Sequence, residues 1–547
     1  IEDTHYLLGE IPIMLQSNLC VLQGLSKDVR FQMGECRHDY GGYFIIDGKE
    51  KVLLPQEKFG DNQIYTRLLN DDKHDYSIEI KSVSQDSSKP KRTLAIRRVL
   101  DTSTKSKGHL MVDIPQVKAP IPLFIVMRAL GVISDKSIIE YIINDVMINE
   151  RYLKELIPSV HINLNVFSQI DALHFIKYYT KQQSINEVHS ILSDYLLPHM
   201  SDTPEHTYKP NYKQKALFLG YMTMELLKCI KQEQPLTDRD SYVFKRVESS
   251  GEIYTGLFNE YIGNMYANIR LSIDKEYYYQ TENYNDDEKI VDLIQDKFFY
   301  DKTVHDGIKR AFKGDWGSKS HTKRVGVIQD LNRLSYNSAL SHLRKVNLDF
   351  DSSSKIVGPH QLHGSQYGYL DPIDTPDGGN VGLHKNMAMM CAITTEHSLN
   401  DLLDWINRYI SFINLNTLDD IYVVSDILYR YKLFINGTWV GLIEREREFV
   451  HRFIKYRRAG YIPATISIRL DNTSKHVIIN SDKGRLTRPL LFTNKNSTNK
   501  TVPQYEINGI EQYITWSECI KGLGSKQVYY SKPPPLDQDI PITNIIE

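Results

Sequence analysis

Fifteen residues restrict this chain more than any others: Tyr369-Leu370-Asp371-Pro372-Ile373-Asp374-Thr375-Pro376-Asp377-Gly378-Gly379-Asn380-Val381-Gly382-Leu383. Three aspartates, two prolines and three glycines exclude a helix, and so polar a run is not a buried strand. Proline fixes φ, and glycine opens conformations closed to other residues. The segment therefore reads as a rigid loop of defined shape, the kind of element that carries function on a folded scaffold.

The rest of the chain must supply that scaffold. Its 547 residues predict three to five domains, at about 100–200 residues each. A hydrophobic content of 41% and a charged content of 24% fit a folded protein, and a net charge of −2 does not mark a nucleic-acid binder as a whole. Locally the balance differs. Residues 301–350 carry ten Lys/Arg against five Asp/Glu, just after an acidic stretch from Ser272 to Tyr300. Such a block fits phosphate contacts or an ordinary solvated face. The five cysteines are scattered without a C-x-x-C pair, which signals neither a zinc site nor a disulfide framework and fits an intracellular setting. No apolar run reaches the ~18–20 residues that span a bilayer, and Ile1–His5 does not resemble a secretory leader. No membrane partner is expected. The start at Ile1 and the Lys532–Asp537 stretch with three prolines suggest a piece of something longer.

Local patterns place the elements. Tyr43–Ile46 and Val52–Leu54 flank Asp47-Gly48, a hairpin turn signal. Gly42 to Lys49 resembles a phosphate loop only loosely, because five residues separate the glycines and Glu50 stands where a hydroxyl would hold magnesium. Ile78–Ile80 and Leu94–Ile96 alternate as strands do. Pro122–Gly131 and Lys215–Leu227 read as buried helices, and Met265–Leu271 as an amphipathic one. Asn436-Gly437 marks a second hairpin. A charged helix over Glu444–Gly460 and strands Thr465–Leu470 and Lys475–Ile479 follow. Trp316 and Trp439 are expected to pack rather than to stack on bases. Asp349–Lys355, with three consecutive serines, is expected to be a mobile loop.

The Tyr369–Leu383 loop closely resembles the P-x-E-T-P-E-G-x-N-x-G-L loop of the second-largest subunit of multisubunit DNA-directed RNA polymerases, with Asp374 and Asp377 in place of two glutamates. Gly41–Glu57, Pro359–Met390 and Phe434–Phe492 match in the same order, the last including Gly484-Arg485-Leu486-Thr487-Arg488-Pro489-Leu490. The resemblance, to the eukaryotic, archaeal and large-DNA-virus type, implies an α+β multidomain fold. It divides the chain into a protrusion (1–71), a lobe (72–256), a returning protrusion (257–320), a fork (321–393), and two external domains (394–480 and 481–547), the second ending in a linker toward a hybrid-binding domain.

It also implies roles. The chain would be a non-catalytic wall of an active site shared with the largest subunit, whose aspartates bind Mg2+, so no catalytic residue is assigned here. No metal site is expected in this chain, and the family's clamp zinc site lies outside it. Arg324, Arg333, Arg344 and Lys345 suit phosphate contacts. Gln329, Asn332 and His342 suit hydrogen bonds to backbone or sugar groups of the transcript, and Asn380 belongs with them to the nucleic-acid-proximal fork. In bacterial relatives, the counterparts of Gln329, Asn332, His342, Arg344 and Asn380 line a rifamycin pocket. Leu343 replaces a basic residue there, and inhibition is not expected. A carboxylate facing polyphosphate is repelled, so two readings stand: Asp374 orients fork side chains or tethers an arginine, or both Asp374 and Asp377 cap turns or helix N-termini. Expected partners are the largest and other polymerase subunits, template DNA, transcript RNA, nucleoside triphosphates and transcription factors. The abundance of Asn, Ile, Lys and Tyr suggests an A/T-rich genome, so a virus replicating in host cytoplasm is one source, with the nucleus or cytoplasm of a cell the other. A free-standing DNA- or factor-binding module and the first half of a naturally split subunit remain the competing readings.

Overall fold

The computed structural model describes residues 8–86, 89–100, 108–162, 165–200, 212–279, 302–320, 322–350, 356–415, 430–458 and 460–488, with the strands Gln504–Ile507 and Ile510–Tyr513 as backbone only. Residues 351–355 of the expected mobile loop, much of the acidic 272–300 stretch, Pro489-Leu490 and the proline-rich linker lie outside them. The fold is α+β, as expected, and divides into two compact units: Ile1–Lys58 with Arg246–Ile393, and Phe59–Lys245 with Thr394–Glu547.

In the first unit, Asp47 and Gly48 both have positive φ (49° and 76°) and turn the chain between strands Phe44–Ile46 and Lys49–Leu53. Two positive-φ residues match the strand twist of a tight hairpin. Strand Ile328–Asp330 pairs antiparallel with the other edge of Lys49–Leu53, setting Ile328 opposite Leu53. Alternation then sorts the side chains. Leu53 enters a core with Ile253, Leu257, Tyr261, Met265 and Phe312, while Val52 and Leu54 pack with Leu331 and Ala339 on the other face. The first core rests on helix Ser250–Tyr279, which buries Ile253, Leu257, Tyr261, Met265 and Ile269 at four-residue intervals. Helix Thr303–Phe312 lies so close that a Cβ on Gly307 would meet the Tyr261 ring at 2.4 Å. Trp316 is 4% exposed and packs edge-on to Phe312, so it is a core anchor. A second sheet has the order His384–Asn386, Lys345–Leu348, Gln56–Phe59, Lys245–Glu248. Lys345–Leu348 runs antiparallel to its first neighbour and parallel to its second.

The second unit opens with an antiparallel meander of Ile64–Leu68, His74–Ser82, Arg92–Val99, Leu110–Asp113 and Ile121–Pro122. Ile78 faces Ile96, and Ile80 faces Leu94. These four isoleucine and leucine side chains share one core with the wholly buried helix Leu123–Ala129 and with helix Lys213–Ile230. A five-stranded mixed sheet follows, ordered Ile413–Asn414, Thr438–Ile443, Tyr431–Ile435, His476–Asn480, Ser467–Asp471. Its hairpin turns at Asn436 and Gly437, again both at positive φ. Leu402, Ile406, Phe449 and Phe453, from helices Leu399–Tyr409 and Glu446–Arg458, pack with Leu433, Ile435, Val477 and Ile479. Phe434, Trp439 and Leu442 instead join the core that contains Leu217 and Leu226. Trp439, at 2% exposed, is thus packed inside the unit. Among the described residues, no helix is long and apolar enough to cross a membrane.

Candidate nucleic-acid interface

The Tyr369–Leu383 loop is fixed at its base and open at its tip. Tyr369, Leu370 and Leu383 are buried anchors. Backbone bonds from Asp371 to the Asn386 carbonyl and from Ala388 to the Tyr369 carbonyl, both 2.8 Å, stitch its first residues to the following strand. The Asp371 carboxylate accepts the amides of Ile373 (2.9 Å) and Asp374 (3.2 Å), which shapes the turn after Pro372. Thr375 Oγ1 donates to the His384 carbonyl and accepts the Gly382 amide, each at 2.9 Å. Asn386 Nδ2 donates to the Asp374 carbonyl at 3.0 Å. Gly382 has φ +74°, and a Cβ there would stand 2.7 Å from the His360 carbonyl oxygen. Beneath the loop, Lys385 and Glu57 form an ion pair at 2.9 Å with side chains only 4% and 1% exposed. These contacts are the reason so irregular a segment holds one shape.

The tip faces solvent. Ile373 is 86% exposed, and Asp374, Asp377 and Asn380 are exposed as well. Asp377 precedes the short turn Gly378–Asn380 without a side-chain cap bond. The cap expected of Asp374 or Asp377 is supplied by Asp371. Among the described residues, neither Asp374 nor Asp377 has an arginine within ion-pair distance.

The remaining fork residues fall into three arrangements. Gln329, Asn332 and His342 come together. The Asn332 amide donates to His342 Nδ1 at 3.1 Å, which leaves the imidazole proton on Nε2, 3.0 Å from Gln329 Oε1. Gln329 Nε2 donates onward to the Gly326 carbonyl at 3.2 Å. This chain ties helix Tyr336–Leu343 to the edge strand, and it requires a neutral histidine. Burial, with Lys345 nearby, holds the imidazole below its usual 6.5. The sign follows directly. In the unfolded chain the ring protonates near 6.5, whereas in the folded chain it stays neutral to lower pH. Its contribution to stability is fully present above about 6.5 and is lost progressively as pH falls from there through the folded value. A ring titration by NMR is expected to give a midpoint below 6.5, and a midpoint at or above that value would contradict the bonding chain.

Three arginines are occupied internally. Arg333 Nε and Nη2 each lie 2.8 Å from a Glu50 carboxylate oxygen, and Nη2 is 3.1 Å from Asp39. Its guanidinium also lies over the Tyr43 ring. The Glu50 hydrogen bonds, ahead of the opposing burial, raise the Arg333 pKa, and Arg333 in turn holds Glu50 below the usual carboxylate range. Burial works against the Asp39 charge, but the Gly41 amide, the Tyr43 hydroxyl and Arg333 together keep it low. Arg324 reaches Glu248 at 3.2 Å, a carboxylate that Lys58 also engages at 3.0 Å. Arg344 Nη2 donates to the carbonyls of Ala388, Met389 and Cys391 at 2.5, 3.3 and 3.2 Å. It pins the segment after the strand His384–Asn386. Lys345 differs: among the described residues it has no carboxylate within ion-pair distance. Sequence reasoning missed Asp39, Glu50, Glu57, Asp371 and Lys385, the side chains that hold the site in place.

Against known proteins, the RNA polymerase beta subunit family matches residues 1–292, more than half the chain. This chain belongs to that family. The Rpb2 domain 3 and domain 4 families match residues 329–393 and 433–494. The first of these stretches holds the loop and every candidate residue from Gln329 to Asn380. The chain is 33% identical over 505 residues to DNA-directed RNA polymerase II subunit 2 of Arabidopsis thaliana, covering 90% of this chain and 41% of that protein. It is 29% identical to DNA-directed RNA polymerase II subunit RPB2 of Schizosaccharomyces pombe, covering 90% and 40%. It is also 28% identical to DNA-directed RNA polymerase III subunit RPC2 of Saccharomyces cerevisiae, covering 89% and 41%. The chain thus spans about two fifths of the length of these relatives.

Proposed function

We propose that this chain forms one side of the DNA cleft, and the fork beside the active centre, in a DNA-directed RNA polymerase that carries out template-directed nucleotidyl transfer. The observation that carries the reading is a loop locked at its base by the Lys385–Glu57 pair and presenting Asp374, Asp377 and Asn380 to solvent. Metal ions supply phosphoryl charge neutralisation in such chemistry, and the family resemblance assigns them to the largest subunit. Among the described residues no three His, Cys, Asp or Glu side chains gather as they would around a metal ion.

The chain's own residues orient. Lys345, which has no carboxylate partner among the described residues, is a fork cation available to a backbone phosphate. Asn332 and Asn380 offer exposed amides to sugar or phosphate oxygens of the transcript. Arg324, Arg333 and Arg344 shape the fork through carboxylates and carbonyls, and the Gln329–His342 pair sets the position of its helix. Asp374 and Asp377 repel phosphates and suit cationic or amide partners on the largest subunit. Other polymerase subunits, template, transcript, nucleoside triphosphates and transcription factors complete the partners, and the composition supports an A/T-rich genome, a viral one included.

Two experiments test this reading. Affinity capture through the chain is expected to recover a largest polymerase subunit, and capture of none would support the free-standing module instead. In the assembled enzyme, Lys345→Ala is expected to lower the salt slope of nucleic-acid binding by about 0.9, the share of one phosphate contact. Arg344→Ala is expected to leave that slope unchanged while loosening the segment from Ala388 to Cys391. An unchanged slope for Lys345→Ala would remove it from the interface.

A further inference from the structure

In the second unit, strand His476–Asn480 sends alternate side chains to opposite faces. Val477 and Ile479 enter the core that holds Leu433 and Ile435. His476, Ile478 and Asn480 take the other face, where Phe434 of the parallel neighbouring strand pairs with Ile478. That face lines a cavity of about 250 Å³, closed by Tyr221 of helix Lys213–Ile230 and by Gln63, Gln234 and Phe244. At about 30 Å³ per water the space equals about eight waters, which suits a molecule of one or two rings.

Two lining side chains are polar and more than nine-tenths buried: His476 is 6% and Asn480 8% exposed. Among the described residues, His476 Nε2 has no hydrogen-bond partner, and the Asn480 side-chain amide makes no hydrogen bond. The side chains of Gln63 and Gln234 and the Tyr221 hydroxyl make none there either. Buried polar groups left unanswered are uncommon and mark a missing partner. Burial, with Lys432 nearby, holds the His476 pKa well below its usual 6.5, so the ring is neutral and offers one donor and one acceptor. The charged groups of the lining are answered. Lys228 lies 2.7 Å from Glu225, and Arg469 lies 3.7 Å from Asp471. Asn62, Thr66, Thr237 and Ser474 are bonded within the protein and offer nothing further to the argument. One lining cation against two carboxylates leaves no positive surplus for an anion. The apolar walls are aromatic: the Tyr221 and Phe434 rings lie 5.3 Å apart, and Phe244 adds a third.

We infer that this cavity binds a neutral, planar nitrogen heterocycle of the nucleobase type, whose adjacent donor and acceptor atoms meet the Asn480 amide. An asparagine amide presents a donor and an acceptor side by side, the pattern that matches the amino and ring-nitrogen edge of adenine with two hydrogen bonds. Aromatic walls add stacking on the ring faces. His476 and Gln63 supply further neutral partners for the ring edge. A phosphate is not part of the ligand, because the lining holds no spare cation for it. The site belongs to the second unit and does not rest on the fork reading.

The test is titration of the full chain with adenine, followed by ligand-detected NMR, with indole as a two-ring control that lacks the acceptor edge and AMP as the phosphorylated control. Adenine is expected to bind with a Kd of about 0.1–1 mM, and indole at least about fivefold more weakly. AMP is expected to bind no more tightly than adenine. Asn480→Leu, close in shape, is expected to weaken adenine binding about tenfold. It is also expected to leave the melting temperature of the ligand-free chain unchanged or higher, because an unanswered buried amide is removed. Gln63→Ala, at the half-buried start of its strand, is expected to weaken binding about threefold with folding intact. Three results would overturn the site: no adenine binding at about 5 mM, several times the expected Kd; indole or AMP binding more tightly than adenine; or equal adenine binding by the wild type and both folded variants.

Discussion

Glu57→Ala is expected to destabilise the first unit by about 3–5 kcal/mol, because it strands the Lys385 ammonium in a buried site. Both partners of this pair are almost fully enclosed, and they join strand Gln56–Phe59 to strand His384–Asn386 across the intervening strand Lys345–Leu348. Removing one charge therefore costs far more than removing both. The double variant Glu57→Leu/Lys385→Met is expected to recover most of the loss, since an apolar pair of similar volume avoids desolvation altogether. Urea unfolding, read by hydrogen exchange of the amides in 56–59 and 345–348, measures both variants. A single-variant cost below about 1 kcal/mol, the range of an exposed pair, would show that the pair does not anchor the loop. Because the loop's tip depends on that base, the single variant should also reduce transcription by the assembled enzyme.

Gly382→Val is expected to cost about 3 kcal/mol, from a left-handed backbone forced on a β-branched residue and from a clash that cannot relax into solvent. The obstructing atom is a backbone carbonyl, that of His360, 2.7 Å from where Cβ would sit. The same residue donates its amide to Thr375, so a shift of Gly382 releases the loop's internal tie as well. The expected result is faster hydrogen exchange from Thr375 to Leu383 with the two cores unchanged, and weaker activity of the assembled polymerase at normal subunit assembly. Uniform destabilisation of the whole first unit would mean instead that the loop is part of the core.

The two predictions differ in how visible their residues are along the chain. Gly382 stands inside the loop whose composition already announced a rigid, irregular segment. Both hairpins were equally plain, because Asp47-Gly48 and Asn436-Gly437 impose their turns through the residues' own backbone preferences. Helix Lys213–Ile230 and the alternating strands around Ile78 and Leu94 were legible for the same reason, since periodicity of burial is written residue by residue. Glu57 and Lys385 stand 328 positions apart, and nothing local to either marks a partner.

The fork shows where local reading stops. Gln329, Asn332 and His342 were expected to hydrogen-bond the transcript, and in the structure a hydrogen-bonded chain joins them to one another. The side chains of Gln329 and His342, however, are bonded to each other, and only the Asn332 side chain is left exposed. Arg333 carries the charge that suits a phosphate, but Glu50, 283 positions away, and Asp39, 294 positions away, take its guanidinium. Arg344 is likewise turned to the carbonyls of Ala388 to Cys391. Lys345, its immediate neighbour and equally basic in the sequence, is left without such a partner among the described residues. By itself the sequence determined the turns, the amphipathic faces, the rigid loop and the family, because each rests on short-range backbone and side-chain preferences or on an ordered set of motifs. The tertiary structure alone decided which charges are spent inside the protein and which face outward, because that choice depends on pairings between residues hundreds of positions apart.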